Sequence, residues 1–183
     1  MSITTKGGDQ GSTSLYTGER VLKSDLRVDA YGSLDELDAF ISEAKHHIGD
    51  VEIKKLLLDT QNRLYRVMGE LATPDGSYLM PICKEEVDAI TDTIHLYEER
   101  VNLQGFVVPG SCIASAHLDI CRTVARRAER RVIALAQASD VPPNLIKYVN
   151  RLSDFFFILA RAIEVQEGVL TYKSKLDTGC NKT

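Results

Sequence analysis

The chain has 183 residues, 44% of them hydrophobic, and a formal net charge of -4 at pH 7. This length supports one compact domain with its own core and leaves too little chain for a second. The acidic balance excludes a general electrostatic footprint for nucleic acid, so an anionic ligand must be held by a local cluster of cations.

The sequence contains no recognisable targeting or membrane-spanning segment. No apolar stretch follows a basic start at the N-terminus, and no later run approaches the roughly 20 apolar residues of a span. The four cysteines never form a C-x-x-C pair, which predicts reduced, mostly buried thiols. We therefore expect a cytoplasmic protein with no nucleic-acid or membrane partner. An organelle enzyme that lacks its transit peptide is the alternative.

The first part of the chain predicts an irregular arm followed by a helix. Residues 1–30 concentrate Gly, Ser, Thr and charge without a sustained apolar period. Ser33 and Glu36 have the spacing of a capping box, in which a hydroxyl and a carboxylate satisfy free N–H groups at a helix start. We therefore predict a first helix from Ser33 to about His47, and no strand in the chain.

Apolar residues at helical spacing predict four more helices, which end at Gly and Pro breaks. They are one between Asp50 and Pro74, one carrying Val87 to Val101, one from near Ser111 to about Ala138, and one from Pro142 to Gly168. The predicted fold is an all-α, five-helix up-and-down bundle in a single domain. The bundle covers 31–170, after the arm of 1–30 and before a polar, mobile tail of 171–183.

Basic residues on the fourth predicted helix form a stripe. Arg122, Arg126 and Arg130 fall at i, i+4 and i+8, and Arg127 and Arg131 flank them. Like charges at this spacing repel one another, which indicates an anion between the arginines. A solvated basic face paired with nearby acids is the alternative.

Two other segments could complete an anion site. Asn150 and Asp154 share one face of the fifth helix and, as core polar groups, either contact a ligand or bridge helices. Asp35 could pair with an arginine of the stripe, or could simply be a first-turn residue favoured by the helix dipole.

The arm has the composition of a phosphate cradle. Glycines and hydroxyls are concentrated between Thr5 and Thr13, and Lys6 and Lys23 add charge. The pattern matches neither G-x-x-x-x-G-K-[ST] nor G-x-G-x-x-G, so a mobile terminus is the alternative.

The four histidines of the chain lack metal-ligand spacing, so no metal site is predicted from them. They are His46, His47, His95 and His117.

Five blocks, in this order, resemble the PduO-type ATP:corrinoid adenosyltransferase family. The blocks run from Thr5 to Arg161 and read TKGGDQGSTSLYTGERVLKSD, RVDAYGSLDELDAF, FVVPGSC, CRTVARRAERRV and KYVNRLSDFFFILAR. The resemblance implies a five-helix bundle, usually a homotrimer. It places ATP in clefts between neighbouring subunits, held by the arm of one subunit and the arginine helix.

The resemblance also implies a role for individual residues. It implies ATP contacts at Thr5, Lys6, Gly7, Gly8, Thr13, Ser14, Lys23, Arg126, Arg127, Ala128, Glu129, Arg130 and Asn150. Among the catalytic residues, Asp35 and Arg126 resemble a salt bridge near the corrinoid, and Arg130 resembles the arginine that holds the triphosphate. Phe106 resembles the aromatic residue that lies against the lower face of the corrin.

The implied reaction is attack of cob(I)alamin on the ribose C5′ of ATP, which yields adenosylcobalamin and inorganic triphosphate. Arginine, lysine and bound Mg²⁺ would stabilise the leaving group, and the protein need supply no nucleophile. Implied partners are ATP, the corrinoid, a reductase or small reductant, and an adenosylcobalamin-dependent acceptor enzyme.

Two residues depart from the family pattern. They are Asp38, where Asn is common, and Ser111, where a second Gly is frequent. A non-catalytic nucleotide or corrinoid carrier and a purely structural bundle are the alternative functions.

Overall fold

The structure is a computed structural model and describes residue 4 and residues 6–173. Within that part of the chain lie five helices and one two-stranded antiparallel hairpin. The hairpin strands are β1 (Ser12–Ser14) and β2 (Arg20–Leu22), and the helices are α1 (Leu26–His47), α2 (Val51–Leu71), α3 (Lys84–Val101), α4 (Ile113–Ala138) and α5 (Pro143–Gln166). The predicted fold class, an all-α five-helix bundle, is confirmed.

The core of the bundle is built mainly by α4 and α5, which pack against each other. Helix α1 covers α4, α3 covers α5, and α2 packs on α1. The apolar side chains predicted to share helix faces are fully buried, among them Leu34, Leu37, Ile41, Leu64, Leu118, Leu152, Phe156 and Leu159. Each such burial stabilises the fold by about 1.5–3 kcal/mol. The consequence is a rigid scaffold that fixes which side of α4 faces outward.

The predicted start of α1 is wrong, because the helix begins seven residues earlier. The Asp25 carboxylate accepts the Arg27 N–H at 2.8 Å and is the actual N-cap. Ser33 lies inside the helix, where its hydroxyl donates to the Asp29 carbonyl at 2.8 Å. A serine can bond back to the preceding turn in this way, so its capping-box spacing to Glu36 was misleading.

The arm is more regular than predicted, since it contains the hairpin. Arg20 holds the two strands and the preceding loop together by donating to the Gly7 carbonyl at 2.7 Å and to the Ser14 hydroxyl at 3.3 Å. Leu15 is buried, and the Tyr16 N–H donates to the Ala72 carbonyl at 3.0 Å. The arm is therefore fastened to the end of α2.

The beginning of the tail contacts the loop before α4. Tyr172 pairs with Val107 in an antiparallel bridge, and the Lys173 N–H donates to the Phe106 carbonyl at 2.8 Å. The rest of the predicted tail, residues 174–183, lies outside the described residues. None of the described helices combines the length and apolar character needed to cross a bilayer.

The described cysteines are free thiols, but only one of the three is buried. Cys83 is exposed and Cys112 half-buried, so the expectation of mostly buried thiols is wrong for these two. Burial raises the pKa of the Cys121 thiol to about 12, which keeps it protonated and unreactive. Cys180 lies outside the described residues.

Candidate active site

The glycine-containing loop of the arm folds against Lys23. The Gly11 N–H donates to the Gly8 carbonyl at 3.1 Å, and the Lys23 N–H donates to the Gly11 carbonyl at 2.8 Å. A Cβ atom at Gly8 would lie 3.0 Å from the Lys23 Nζ, so glycine lets the ammonium group lie over the loop. The glycine loop and the lysine therefore lie together, although the Gly11 and Lys23 N–H groups donate to carbonyls of the loop itself. Lys6 and Gly7 lie in the same exposed loop, and Thr5 lies outside the described residues.

An open cleft of about 520 Å³ brings the arm and α4 together within one chain. It is lined by Lys23, Val28, Asp29, Gly32, Ser33, Glu36, Arg127 and Arg131. Two ion pairs cross it, from Arg127 to Glu36 and from Arg131 to Asp29. Three cations and two carboxylates line the cleft, which leaves an excess of positive charge for an anion.

The predicted arginine stripe divides into two parts. Arg122 is paired, since its Nε donates to Asp119 at 2.9 Å. Arg126 and Arg130 are exposed and lie opposite the fully buried Ala128 on the helix. Within residue 4 and residues 6–173, neither has a carboxylate at ion-pair distance. These two guanidinium groups are therefore available to an anion, while the Ala128 methyl faces the core and cannot reach one.

On the other flank of the stripe, Asn150 donates to the Glu129 carboxylate at 2.6 Å and accepts from Arg151 at 2.7 Å. Asn150 and Asp154 are exposed, so the premise that they are core polar groups is wrong. The contact places Asn150 and Glu129 next to the outward side of α4. Asn150 of α5 therefore contacts Glu129 of α4, which precedes Arg130 in sequence.

Asp35 is exposed and has no ion pair with Arg126 within the described chain. The α1 carboxylates that do pair with α4 arginines are Asp29 and Glu36. Asp35 and Arg126 are therefore both exposed and do not pair with each other within the described residues.

Phe106 lies on the loop before α4 and is 87% exposed. The loop backbone is held on both sides of it, because the Gln104 N–H donates to the Tyr172 hydroxyl at 3.3 Å and Val107 pairs with Tyr172. Phe106 therefore does not plug the end of this bundle, and a fixed backbone presents its ring to solvent.

A buried charge network fastens this loop to the bundle, and the sequence reasoning missed it. Arg161 and Glu164 are fully buried and meet at 2.8 Å, and Arg161 also donates to Asp119 at 2.6 Å. Since Asp119 also accepts from Arg122, the network runs from the arginine stripe to Ser111. Its sequence signal is a charged pair at i, i+3 inside the apolar face of α5.

The fold and the distribution of cations define a helical protein with an anion site built from an N-terminal arm and one arginine-rich helix. Residues 3–163 match the family model described as "Cobalamin adenosyltransferase". The chain therefore belongs to the cobalamin adenosyltransferase family, and the family predicted from the sequence is confirmed.

Named relatives agree with this membership. The chain is 43% identical over 167 residues to the corrinoid adenosyltransferase PduO of Salmonella typhimurium, which covers 88% of this chain and 49% of that protein. It is 36% identical over 174 residues to the corrinoid adenosyltransferase of Bacillus subtilis, which covers 92% of this chain and 90% of that protein. The chain thus spans about half the length of the Salmonella relative and most of the Bacillus one.

Solved structures share the fold. One solved structure is the PduO-type ATP:corrinoid adenosyltransferase from Lactobacillus reuteri, in a variant with a phenylalanine replaced by histidine, complexed with cobalamin and ATP. It superimposes on this chain with a TM-score of 0.88 at 28% identity. That match covers 95% of this chain and 97% of the other. An arginine-to-lysine variant of an enzyme from the same organism, complexed with ATP, gives the same TM-score at 30% identity.

Proposed function

We propose that this protein transfers the 5′-deoxyadenosyl group of ATP to the cobalt of cob(I)alamin. A cobalt–carbon bond forms with the electron pair of Co(I), the bond from C5′ to oxygen breaks, and triphosphate leaves with that bond's electrons. The observation that carries the proposal is the outward pair Arg126 and Arg130, which have no carboxylate partner in the described chain. In a member of this family, such a pair suits the triphosphate of ATP.

The residues of this chain act by positioning and charge stabilisation. Arg130, Arg126 and Lys23 form charge-assisted bonds to the phosphate oxygens, which strengthen as negative charge collects on the leaving triphosphate. The loop from Lys6 to Gly11 adds backbone N–H groups, with the Thr13 and Ser14 hydroxyls beside it. Because the corrinoid supplies the nucleophile, holding the two substrates in line is the main contribution of the protein.

Mg²⁺ would accompany the triphosphate and neutralise part of its charge. It prefers oxygen ligands and would be coordinated largely by the phosphates. Asp29 and Glu36 provide carboxylate oxygens at the cleft, with side chains 39% and 46% exposed. This donor set fits Mg²⁺, and the arginines now paired with these carboxylates would then be free to bind phosphate.

The functional unit is a homotrimer with ATP sites between subunits. The support is that Asp35 and Arg126 are exposed and do not pair with each other within the described chain, so both are open to a neighbouring subunit. Leu22 and Leu26, which flank Lys23 in sequence, are 65% and 44% exposed. A subunit contact at the cleft would cover these apolar side chains.

Phe106 lies against the lower face of the corrin in this proposal and excludes the lower cobalt ligand, which makes Co(II) easier to reduce. The role is supported by the exposed ring and by backbone contacts at Gln104 and Val107, on either side of Phe106. Electrons come from a separate reductase or small reductant. The product passes to an adenosylcobalamin-dependent enzyme in the cytoplasm.

The test is to supply the purified protein with ATP, Mg²⁺ and chemically reduced cobalamin in the absence of oxygen. The proposal expects a light-sensitive alkylcobalamin and one inorganic triphosphate for each cobalt alkylated. A nucleotide or corrinoid carrier would bind its ligand and yield neither product.

A further inference from the structure

We propose that Glu43, His47 and His117 form a binding site for one divalent transition-metal ion of the zinc class. One potential ligand atom from each of these three side chains lies within 4.8 Å of the others. None of the three lines the cleft at Lys23 and Arg127. The site therefore does not depend on the proposed transferase function.

The packing of α1 on α4 brings the three residues together. Glu43 and His47 are one turn apart at the end of α1 and share a face of that helix. His117 lies in the second turn of α4, 70 residues further along the chain. Because the ligands come from two packed helices, no local sequence spacing shows them, which explains why the histidine spacing predicted no metal site.

The ligand set selects the class of metal. Two imidazoles and one carboxylate are a recurrent protein set for zinc, and they leave a fourth position for water. Mg²⁺ and Ca²⁺ prefer oxygen ligands and would not favour two nitrogens. His47 is the last residue of α1, where the negative end of the helix dipole adds a favourable term for a cation.

The present arrangement needs only side-chain adjustment to bind a metal. The rings of His47 and His117 stack in parallel with centroids 4.3 Å apart and planes 2° apart, and Glu43 Oε1 lies 3.2 Å from His47 Nε2. Tetrahedral zinc with bonds of about 2.0 Å needs its two nitrogens about 3.3 Å apart. Rotation of the rings about Cβ–Cγ allows this, since the side chains of His47 and Glu43 are 38% and 56% exposed.

A bound metal would join the last turn of α1 to the beginning of α4. The loop that carries Phe106 enters α4 at this end, through Ser111 and Cys112. A ligand that binds only the folded state shifts the unfolding equilibrium in favour of that state. Zinc should therefore raise Tm, and the increase should require both histidines.

The experiment measures Zn²⁺ affinity by competition with a chromophoric chelator. The full chain is used with Cys83→Ser, Cys112→Ser and Cys180→Ser, so that accessible thiols do not compete for zinc, and bound metal is first removed. We expect one equivalent of Zn²⁺, an affinity at least tenfold lower in His47→Ala and in His117→Ala, and a smaller loss in Glu43→Gln.

His46→Ala and His95→Ala are matched controls, since both residues are exposed histidines outside the cluster. They should keep the affinity and the zinc-dependent rise in Tm. The absorption of bound Co²⁺ gives a second readout, which should disappear in the His47 and His117 variants while their helical circular dichroism stays unchanged. Absence of binding at micromolar free Zn²⁺, or binding unaffected by both cluster substitutions, would overturn the proposal.

Discussion

Arg130 projects from α4 with its guanidinium bonded only to the carbonyl of Arg126, at 3.1 Å, within the described chain. Its removal should leave the fold intact, since it supports no packing. We expect Arg130→Ala, and likewise Lys23→Ala, to lower kcat/KM for ATP about tenfold to hundredfold, the equivalent of one charge-assisted bond. Steady-state kinetics of adenosylcobalamin formation measures this.

The matched control is Arg100→Ala, because Arg100 is also an exposed arginine, and its carboxylate partner is Glu52, 3.3 Å away. The kcat/KM of this variant for ATP should equal that of the unmodified protein. Wild-type kcat/KM for ATP in the Arg130 and Lys23 variants would show that these residues do not bind the triphosphate.

Phe106 allows a second test at a single residue. Because its side chain is 87% exposed, Phe106→Ala should change Tm little, whereas truncation of a buried phenylalanine costs about 3–5 kcal/mol. Turnover that starts from cob(II)alamin should fall sharply, and the defect should shrink when cob(I)alamin is supplied. A large drop in Tm, or equal defects from both cobalt states, would contradict the proposed role.

The sequence predicted the residues of the stripe but not their surroundings. Helical spacing is enough to place Arg126 and Arg130 on one side of a helix, and the structure agrees. Spacing does not show which side of a helix is covered, so the sequence predicts a buried Asn150 although the residue is exposed. Helical spacing also does not show that Arg161 is buried, because its charged partner Asp119 lies on another helix.

At the scale of single elements, α5 is unusual in carrying full charges inside its apolar face. Glu164 is completely buried against Arg161 and also accepts the Ser111 N–H. Glu164→Ala should lower the free energy of unfolding by about 3–5 kcal/mol, because it leaves Arg161 buried with one partner fewer. Urea denaturation measures this, with the exposed Glu167→Ala as the control in the same helix end. Equal stability of the two variants would mean that the network contributes nothing to the fold.

The arm gives a prediction for a whole segment. Deletion of residues 1–23 removes the cradle loop and the buried Leu15, but none of the five helices. Helical circular dichroism should therefore persist with a stability loss of about 1.5–3 kcal/mol, the value of one buried leucine. Calorimetric titration should detect no ATP binding. Unfolding of the truncated chain would show that the arm is needed for the fold. Unchanged ATP affinity would show that the arm does not bind ATP.

Element limits were predictable where the sequence has strong breaks. Pro143 and Gly168 bracket α5, and Asp50 caps α2 at the predicted place. The start of α1 was missed because Asp25 caps it inside a segment without apolar periodicity. The hairpin was missed because strands of three residues are too short for alternation to be visible.

At the scale of the whole molecule, helical periodicity in the sequence is enough to predict the fold class. A single chain does not show how subunits assemble. Lys23 and Arg127 line one cleft within the chain, whereas Arg126 and Arg130 do not line it. We propose that the arm and α1 of one subunit lie against the outward side of α4 of the next, which would bring these two arginines to the arm of a neighbouring subunit.

A mixed-subunit experiment tests this claim most directly. Lys23→Ala and Arg130→Ala chains carrying different tags are co-expressed, and assemblies containing both are purified through the two tags. In a cyclic trimer of two kinds of chain, one interface in three joins an intact arm to an intact α4, so we expect about one third of wild-type adenosylcobalamin formation. Each variant alone should keep about one tenth of wild-type formation or less, in line with its expected loss of kcat/KM. Mixed assemblies as inactive as the separate variants would contradict the account, because the site would then lie within one chain.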